Sequence, residues 1–359
     1  MNESPRAQAD VIPIDSRRRG ISAAESELRQ RCHELRGDGS PCRLYLDADG
    51  LCRVCQHERA TPAAPQPLRP TLPSFDQATV DDLERAIRGM LAFARRRLTG
   101  DYEIDDYGFD RDLTEQVIMP LARPLYQQWW RVRAAGIGHI PDQGGALLVA
   151  NHAGTLPFDA IMTKLAVYDE HPQRRHVREL AADLALKVPI FGPLARKTGN
   201  TLAHTEDAIN LLDSGELVGV WPEGFKGIGK NYRDRYKLQR FGRGGFVEVA
   251  IRAGVPIIPV ATIGSEEIFP IVADIKPVAR LLGLPYFPVT WQFPLLGPLG
   301  VIPLPSKWVI EFGEPIHTEE YGRDAADDPM LVFEITARVR DTIQQMIYRN
   351  LMGRRSIFF

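Results

Sequence analysis

The chain has 359 residues, 44% hydrophobic and 25% charged, with a formal net charge of -2. That balance is ordinary for a globular protein and gives no reason to expect nucleic acid as a partner. No apolar run is long enough to cross a bilayer and the start, Met1 to Arg6, carries no secretory signal. The expectation is therefore a cytoplasmic protein, peripheral on the inner face of the cell membrane if it meets one.

Residues 1–27 are polar, carry Arg17-Arg18-Arg19, and read as a flexible arm. All four cysteines follow in residues 28–60: Cys32, Cys42, Cys52 and Cys55. Without a secretion signal, metal ligation is favoured over disulfides. A segment too short to bury a core would fold around a tetrahedral zinc ion, so 28–60 reads as a zinc knuckle. The competing reading is four reduced thiols in a disordered arm. If the knuckle is right, metal analysis of the purified protein finds stoichiometric zinc; none in protein purified without added metal returns the segment to the arm.

Residues 61–75 are a Pro-rich linker. The stretch 76–115 is a helical extension, with an amphipathic helix over about Thr79–Leu98 that ends in Arg95-Arg96-Arg97. That run suits either the helix C-terminal dipole or anionic head groups. A second helical pattern, about Leu113–Arg133, contains two prolines and so is kinked or broken. Its Trp129-Trp130 pair suits packing against the next domain or a membrane interface.

From Gly136 onward, strand and helix patterns alternate, the mark of a layered α/β domain. Strands are expected at Gly136–Ile140, Ala146–Ala150, His176–Leu180, Leu217–Trp221, Ile257–Ile263 and Lys307–Phe312. Helices are expected at 157–168, Thr205–Ser214, Gly245–Ala253 and Met330–Met352. Leu295 to Leu304 is apolar but too rich in Pro and Gly for a regular core helix.

Chemistry-bearing residues gather where strands hand over to helices, the side of an open α/β sheet that takes ligands. After Ala146–Ala150 comes Asn151-His152, and Asp159 falls in the first turn of the following helix. A His beside a carboxylate is the minimum set for taking a proton from a hydroxyl. The plainer reading has His152 bonded to backbone and Asp159 facing the helix dipole. After Leu217–Trp221 comes Pro222-Glu223-Gly224-Phe225-Lys226-Gly227. Glu223 suits a substrate hydroxyl; Lys226 and the amides near Gly224 suit a phosphate. Gly224-x4-Gly229-Lys230 imitates a Walker A loop, but Asn231 stands where Ser or Thr should hold magnesium, so a nucleoside triphosphatase is rejected. Lys226 to Arg243 is basic with interleaved aromatics, suited to a solvated face, an anionic substrate or an anionic membrane. Phe191 to Gly199 is turn-rich and carries Arg196-Lys197, candidates for a phosphate.

In their order, the Asn-His loop leading to an Asp, the Arg196 turn, Pro222-Glu223-Gly224 and Val255-Pro256-Ile257-Ile258-Pro259-Val260 resemble the lysophospholipid and glycerol-phosphate acyltransferase family. The likeness covers about residues 116–355 and assigns 116–359 as an acyltransferase domain. Tyr286 to Gly297 and the tail from Arg354 look like a bacterial subgroup. The resemblance implies an O-acyltransferase of lipid metabolism and phospholipid biosynthesis, moving a fatty acyl group from acyl-CoA or another thioester to a glycerolipid hydroxyl. It makes His152 the general base and Asp159 its partner, with Arg196, Lys197, Glu223, Gly224, Phe225 and Lys226 at the acceptor, and needs no catalytic cofactor. Lipid acceptor, acyl donor and membrane surface are the implied partners. The family spaces His and Asp four residues apart, whereas here six intervene, and Phe225-Lys226 replaces a usual Thr-Arg. A loop bulge would restore the contact. The altered phosphate motif keeps diacylglycerol or another neutral alcohol open as acceptor, and the spacing keeps open a non-catalytic lipid-binding protein of the same fold.

Overall fold

Nine strands order the domain: Arg133–Ala135 (β1), Ala146–Ala150 (β2), Val177–Ala181 (β3), Asn200–Leu202 (β4), Leu217–Val220 (β5), Ile257–Ile263 (β6), Ile271–Asp274 (β7), Pro288–Thr290 (β8) and Val309–Phe312 (β9) among the described residues. The computed structural model describes residues 77–281 and 283–358, all within one compact unit, Asp76–Phe359. The four cysteines, the arm and the linker lie outside the described residues.

Seven strands make one sheet in the order β1-β9-β6-β2-β5-β3-β4, and β7 pairs β8 in a separate antiparallel ribbon. β9 is antiparallel to β6 and carries β1 parallel to itself; every other pair in the large sheet is parallel. β2 and β6 are buried at every residue, the pattern of strands covered on both faces. Successive side chains of a strand point to opposite faces, and both layers are filled accordingly. Leu147 and Val149 pack with Val247, Val339 and Ile343 on one side. Ala146, Leu148 and Ala150 pack with Met162, Leu165, Trp130 and Trp308 on the other.

The first side is covered by helices Thr205–Asp213, Gly245–Ala253 and Pro329–Gly353, the second by Phe158–Glu170. The helices form where the sequence patterns place them, to within about two residues, the ordinary scatter of helix ends. Phe158–Glu170 buries Lys164 among its mostly apolar residues. Its ammonium is buried against Glu179 at 3.1 Å and donates to the Thr198 carbonyl at 2.8 Å. Burial pushes the Lys164 pKa down and the Glu179 pKa up, each toward its neutral form.

Three local expectations need correction, and the choice left open for Trp130 is decided in favour of packing. Gly136–Ile140 is not a strand. The strand is β1, and Gly136 leaves it at φ 72°, where a Cβ would stand 2.0 Å from the Phe312 carbonyl oxygen. Ile137–His139 is then a 3-10 turn. Phe191–Lys197 is a helix rather than a turn; Pro193 falls in its first turn, where a missing N–H costs nothing. The stretch Arg111 to Trp129 stays helical past Pro120 and Pro124 by inserting π-helical segments at Thr114–Ile118 and Leu125–Trp129. Trp130 is fully buried and stacks on Trp308 at 4.8 Å, so it belongs to the core and not to a membrane interface.

The Arg95–Arg97 run also finds a local use. Arg97 pairs with the buried Asp110 at 2.5 Å, and Arg96 pairs with Asp112. Among the described residues no helix is long and apolar enough to cross a membrane.

Candidate active site

The order of the sheet brings three strand ends together. β5 and β6 flank β2, so the chain leaving β2 at Asn151-His152, the chain leaving β5 at Glu223 and the chain leaving β6 at Glu266 share one edge. This is the switch-point geometry that opens a crevice in doubly wound sheets.

Asn151 extends the β2–β6 ladder with its side chain. Its Oδ1 accepts the Thr262 N–H at 2.7 Å and its Nδ2 donates to the Thr262 carbonyl at 3.0 Å. The next residue, His152, is thereby held at the sheet's end. Its Nδ1 lies 2.7 Å from Asp159 Oδ2. Asp159 is fully buried at the start of Phe158–Glu170 and also accepts the N–H groups of Ala153 and Ala160, each at 2.9 Å. With Nδ1–H donating to the carboxylate, Nε2 is left as a proton acceptor. Nε2 makes no hydrogen bond among the described residues, and the imidazole is partly exposed. The ring lies 6.0 Å from that of Trp221.

Six intervening residues do not prevent the contact because the loop folds back on itself. Thr155 adopts φ 63°, a conformation rare for a β-branched residue. Three contacts hold it there: its N–H to the Ile228 carbonyl at 3.3 Å, its hydroxyl to the Phe269 carbonyl at 3.3 Å, and the Tyr286 hydroxyl to its own carbonyl at 2.7 Å. Burial raises the Tyr286 pKa, which keeps its phenol a donor.

Glu223 turns out to grip the histidine loop. Its Oε1 accepts the His152 N–H at 3.0 Å and its Oε2 accepts the Gln239 N–H at 2.6 Å. Its carboxylate is thus committed to backbone donors, where the motif alone suggested a substrate hydroxyl. Lys230 lies buried between Glu223, at 3.7 Å, and Glu266, at 3.1 Å. Glu266 also accepts the Tyr236 N–H at 2.9 Å. A lysine so enclosed is closed to a nucleotide, which agrees with rejecting the Walker A likeness. Burial, with Glu223 adding to it and Lys230 opposing it, pushes the Glu266 pKa up to about 7.

The remaining sequence candidates do not join this cluster. Arg196 and Lys197 are exposed at the end of Phe191–Lys197, and Lys226 is exposed in the short helix Phe225–Ile228. None of the hydrogen bonds or ion pairs of His152, Asp159 and Glu223 reaches them. Phe225 is half-buried beside Gly224, which takes φ 54° with open space around it. Asn151, Lys230, Glu266 and Tyr286 are the members that residue patterns did not single out.

Gly227 closes the cluster from below. A Cβ there would stand 2.6 Å from the His152 carbonyl oxygen, 2.8 Å from Glu223 Cβ and 3.0 Å from His152 Cβ. Gly227→Ala is expected to push the imidazole off Asp159. The measurement is turnover alongside thermal unfolding. A fall of at least about tenfold in turnover with a folded protein is expected, since a misplacement near 1 Å costs about a hundredfold in oriented catalysis; unchanged turnover would show that the loop yields freely.

The His152–Asp159 pair thus stands at the open end of the sheet, braced by the Glu223 turn. The family model described as Acyltransferase matches residues 131–263, spanning β2, the histidine loop, the Glu223 turn and β6. Over that span the chain carries an acyltransferase-family domain. A protein of Mycobacterium tuberculosis named only as uncharacterized is 48% identical over 363 residues, covering 100% of this chain and 99% of its own. A bovine (Bos taurus) protein named DGAT1/2-independent enzyme synthesizing storage lipids is 27% identical over 222 residues, 61% of this chain and 60% of its own. The solved structure of the 1-acyl-sn-glycerophosphate acyltransferase PlsC from Thermotoga maritima aligns with a TM-score of 0.44 at 17% identity, over 76% of this chain and 98% of that one.

Proposed function

We propose that the protein moves a fatty acyl group from a thioester, acyl-CoA or a related donor, to the hydroxyl of a glycerolipid, with His152 as general base. The observation that carries this reading is the 2.7 Å contact between His152 Nδ1 and the buried Asp159, which leaves Nε2 to accept a proton. The acceptor's O–H proton passes to Nε2 as its oxygen attacks the thioester carbonyl. The tetrahedral intermediate collapses, the C–S bond breaks, and the departing thiolate takes the proton back from the imidazolium. The contact also speaks against the non-catalytic alternative, which rested on the lengthened spacing.

A neutral alcohol such as diacylglycerol is the acceptor the surroundings favour. The small hollow beside the histidine loop is lined by Thr155, Ile228, Phe269 and Ile271 together with Lys230 and Glu266, and that lysine and glutamate are already paired with one another. The cations that would take a phosphate, Arg196, Lys197 and Lys226, do not converge there. The bovine relative's name, which concerns storage lipids, agrees with that choice.

A lipid acceptor calls for contact with a membrane surface, and an exposed apolar segment supplies it. Leu295 is 85% exposed, Leu299 63% and Val301 67%, apolar side chains within one short segment that are free to meet a bilayer. The deciding experiment offers labelled acyl-CoA to the purified protein with lysophosphatidic acid, other lysolipids or diacylglycerol, and identifies products by mass spectrometry. The expected result is an ester of one of these alcohols that His152→Ala does not form. Thioester hydrolysis alone, or no product with any acceptor, overturns the reading.

A further inference from the structure

Outside the histidine cleft, a cavity of about 450 Å³ lies between the Arg235–Lys237 segment, the end of helix Pro329–Gly353 and the tail. Its charge is one-sided. Arg235, Lys237, Arg354 and Arg355 line it against a single acid, Glu267. That acid is already spent, because Arg354 pairs with it through Nη2 at 2.6 Å and Nη1 at 2.7 Å, and the pair is buried. Arg235, Lys237 and Arg355 are left as the other cations of the lining, and of these Lys237 has the half-buried Asp234 at 3.7 Å. The floor is apolar, from Tyr348, Leu351 and Ile357.

A chain of ring contacts leads from the cavity toward the exposed apolar segment. The Arg235 guanidinium lies 4.4 Å over the Tyr232 ring, and Tyr232 meets the exposed Trp291 edge-on at 5.3 Å. Trp291 stands four residues before Leu295, where that segment begins. An apolar surface that enters a bilayer and a cationic hollow beside it are the two halves of an interfacial lipid site. A guanidinium held flat by an aromatic ring is pre-oriented for the oxygens of a phosphate.

We propose that this cavity holds the phosphate head group of an anionic bilayer phospholipid while the neighbouring apolar segment enters the membrane. The proposal rests on the membrane-docking reading above and does not depend on acyl transfer.

The test is sedimentation of the full chain with vesicles of phosphatidylcholine alone or with added phosphatidylglycerol, using wild type, the double variant Arg235→Ala with Arg355→Ala, and Arg323→Ala as an exposed cation elsewhere. Arg354 is left intact because its buried pair supports the fold. The wild type is expected to bind both vesicle types, at least about tenfold more tightly when phosphatidylglycerol is present, from about 1 kcal/mol per cation near a charged surface. The double variant keeps phosphatidylcholine binding and loses the gain; Arg323→Ala keeps both. A gain that survives in the double variant, or falls equally in Arg323→Ala, overturns the cavity while docking stands. No binding to either vesicle removes docking itself and the proposal with it. Saturable calorimetric binding of inorganic phosphate without any vesicle gain assigns the cavity to a soluble phosphate and overturns the lipid.

Discussion

His152→Ala lowers turnover by about two to four orders of magnitude, the range for removing a general base, and leaves the fold in place. The second half of that expectation follows from where the ring sits. The imidazole is not part of either apolar layer, and the loop's position is set by main-chain bonds, the His152 N–H to Glu223 and the Ala153 N–H to Asp159, that alanine keeps. Asp159→Asn is expected to cost at least about a hundredfold: the Ala160 N–H binds Oδ1 while the Ala153 N–H and His152 Nδ1 bind Oδ2, so an amide gives up one of these acceptors as well as the charge that stabilises the imidazolium. Its cost does not depend on the lengthened spacing, since the contact is made. Turnover of both variants with the best acceptor, beside their thermal unfolding, is the measurement. Near-wild-type transfer by a folded His152→Ala protein would remove the proton-transfer role assigned to the ring.

Lys230→Met carries the largest expected loss of stability. It leaves Glu223 and Glu266 buried near one another without the cation between them. Removing one partner of a buried ion pair costs about 3–5 kcal/mol, on the order of 10 °C in a domain of this size. The loss depends on pH with a definite sign. Glu266 is raised from 4.5 to about 7, so the folded state holds its proton more tightly than the unfolded chain. The stability from this group is complete below 4.5 and is lost as pH rises through about 7. Without Lys230 the carboxyl loses the charge that opposes its rise, so the variant is hurt more at about pH 8 than at about pH 5. Glu266→Gln in the wild-type background should flatten that part of the curve. Equal losses at both pH values for Lys230→Met would place the cost in packing and not in charge.

The strands and helices that were legible in the sequence are those whose environment repeats along the chain. β2 and β6 are covered on both faces, so burial shows as an unbroken apolar run, and both were bounded correctly. Gly136 defeated the reading of its neighbourhood because its left-handed φ is fixed by the Phe312 carbonyl, more than 170 residues away in the chain. At the site, residue types announced His152 and Asp159 and a loop bulge to join them, but not what holds that bulge. That depends on Thr155 at φ 63°, which Tyr286 and Phe269 enforce from another part of the chain. Glu223 was found and its use was not, because a motif names a carboxylate without naming its donors. Lys230 and Glu266 were hidden for a related reason. Each is a charge in a polar stretch, and only the convergence of β5 and β6 on β2 makes them a buried pair. Asn151 left the clearest unused signal: an amide directly after a wholly buried strand has to satisfy itself against the neighbouring backbone.

The two outermost strands of the large sheet, β1 and β4, have three residues each. A long, flat edge offers unpaired amides to a second molecule and seeds fibrous aggregation, and edges this short offer little. Self-association of the native protein at high concentration is therefore directed away from strand-to-strand growth and toward the exposed Leu295–Ile302 surface. Such clusters should dissolve with mild detergent and should not bind amyloid dyes.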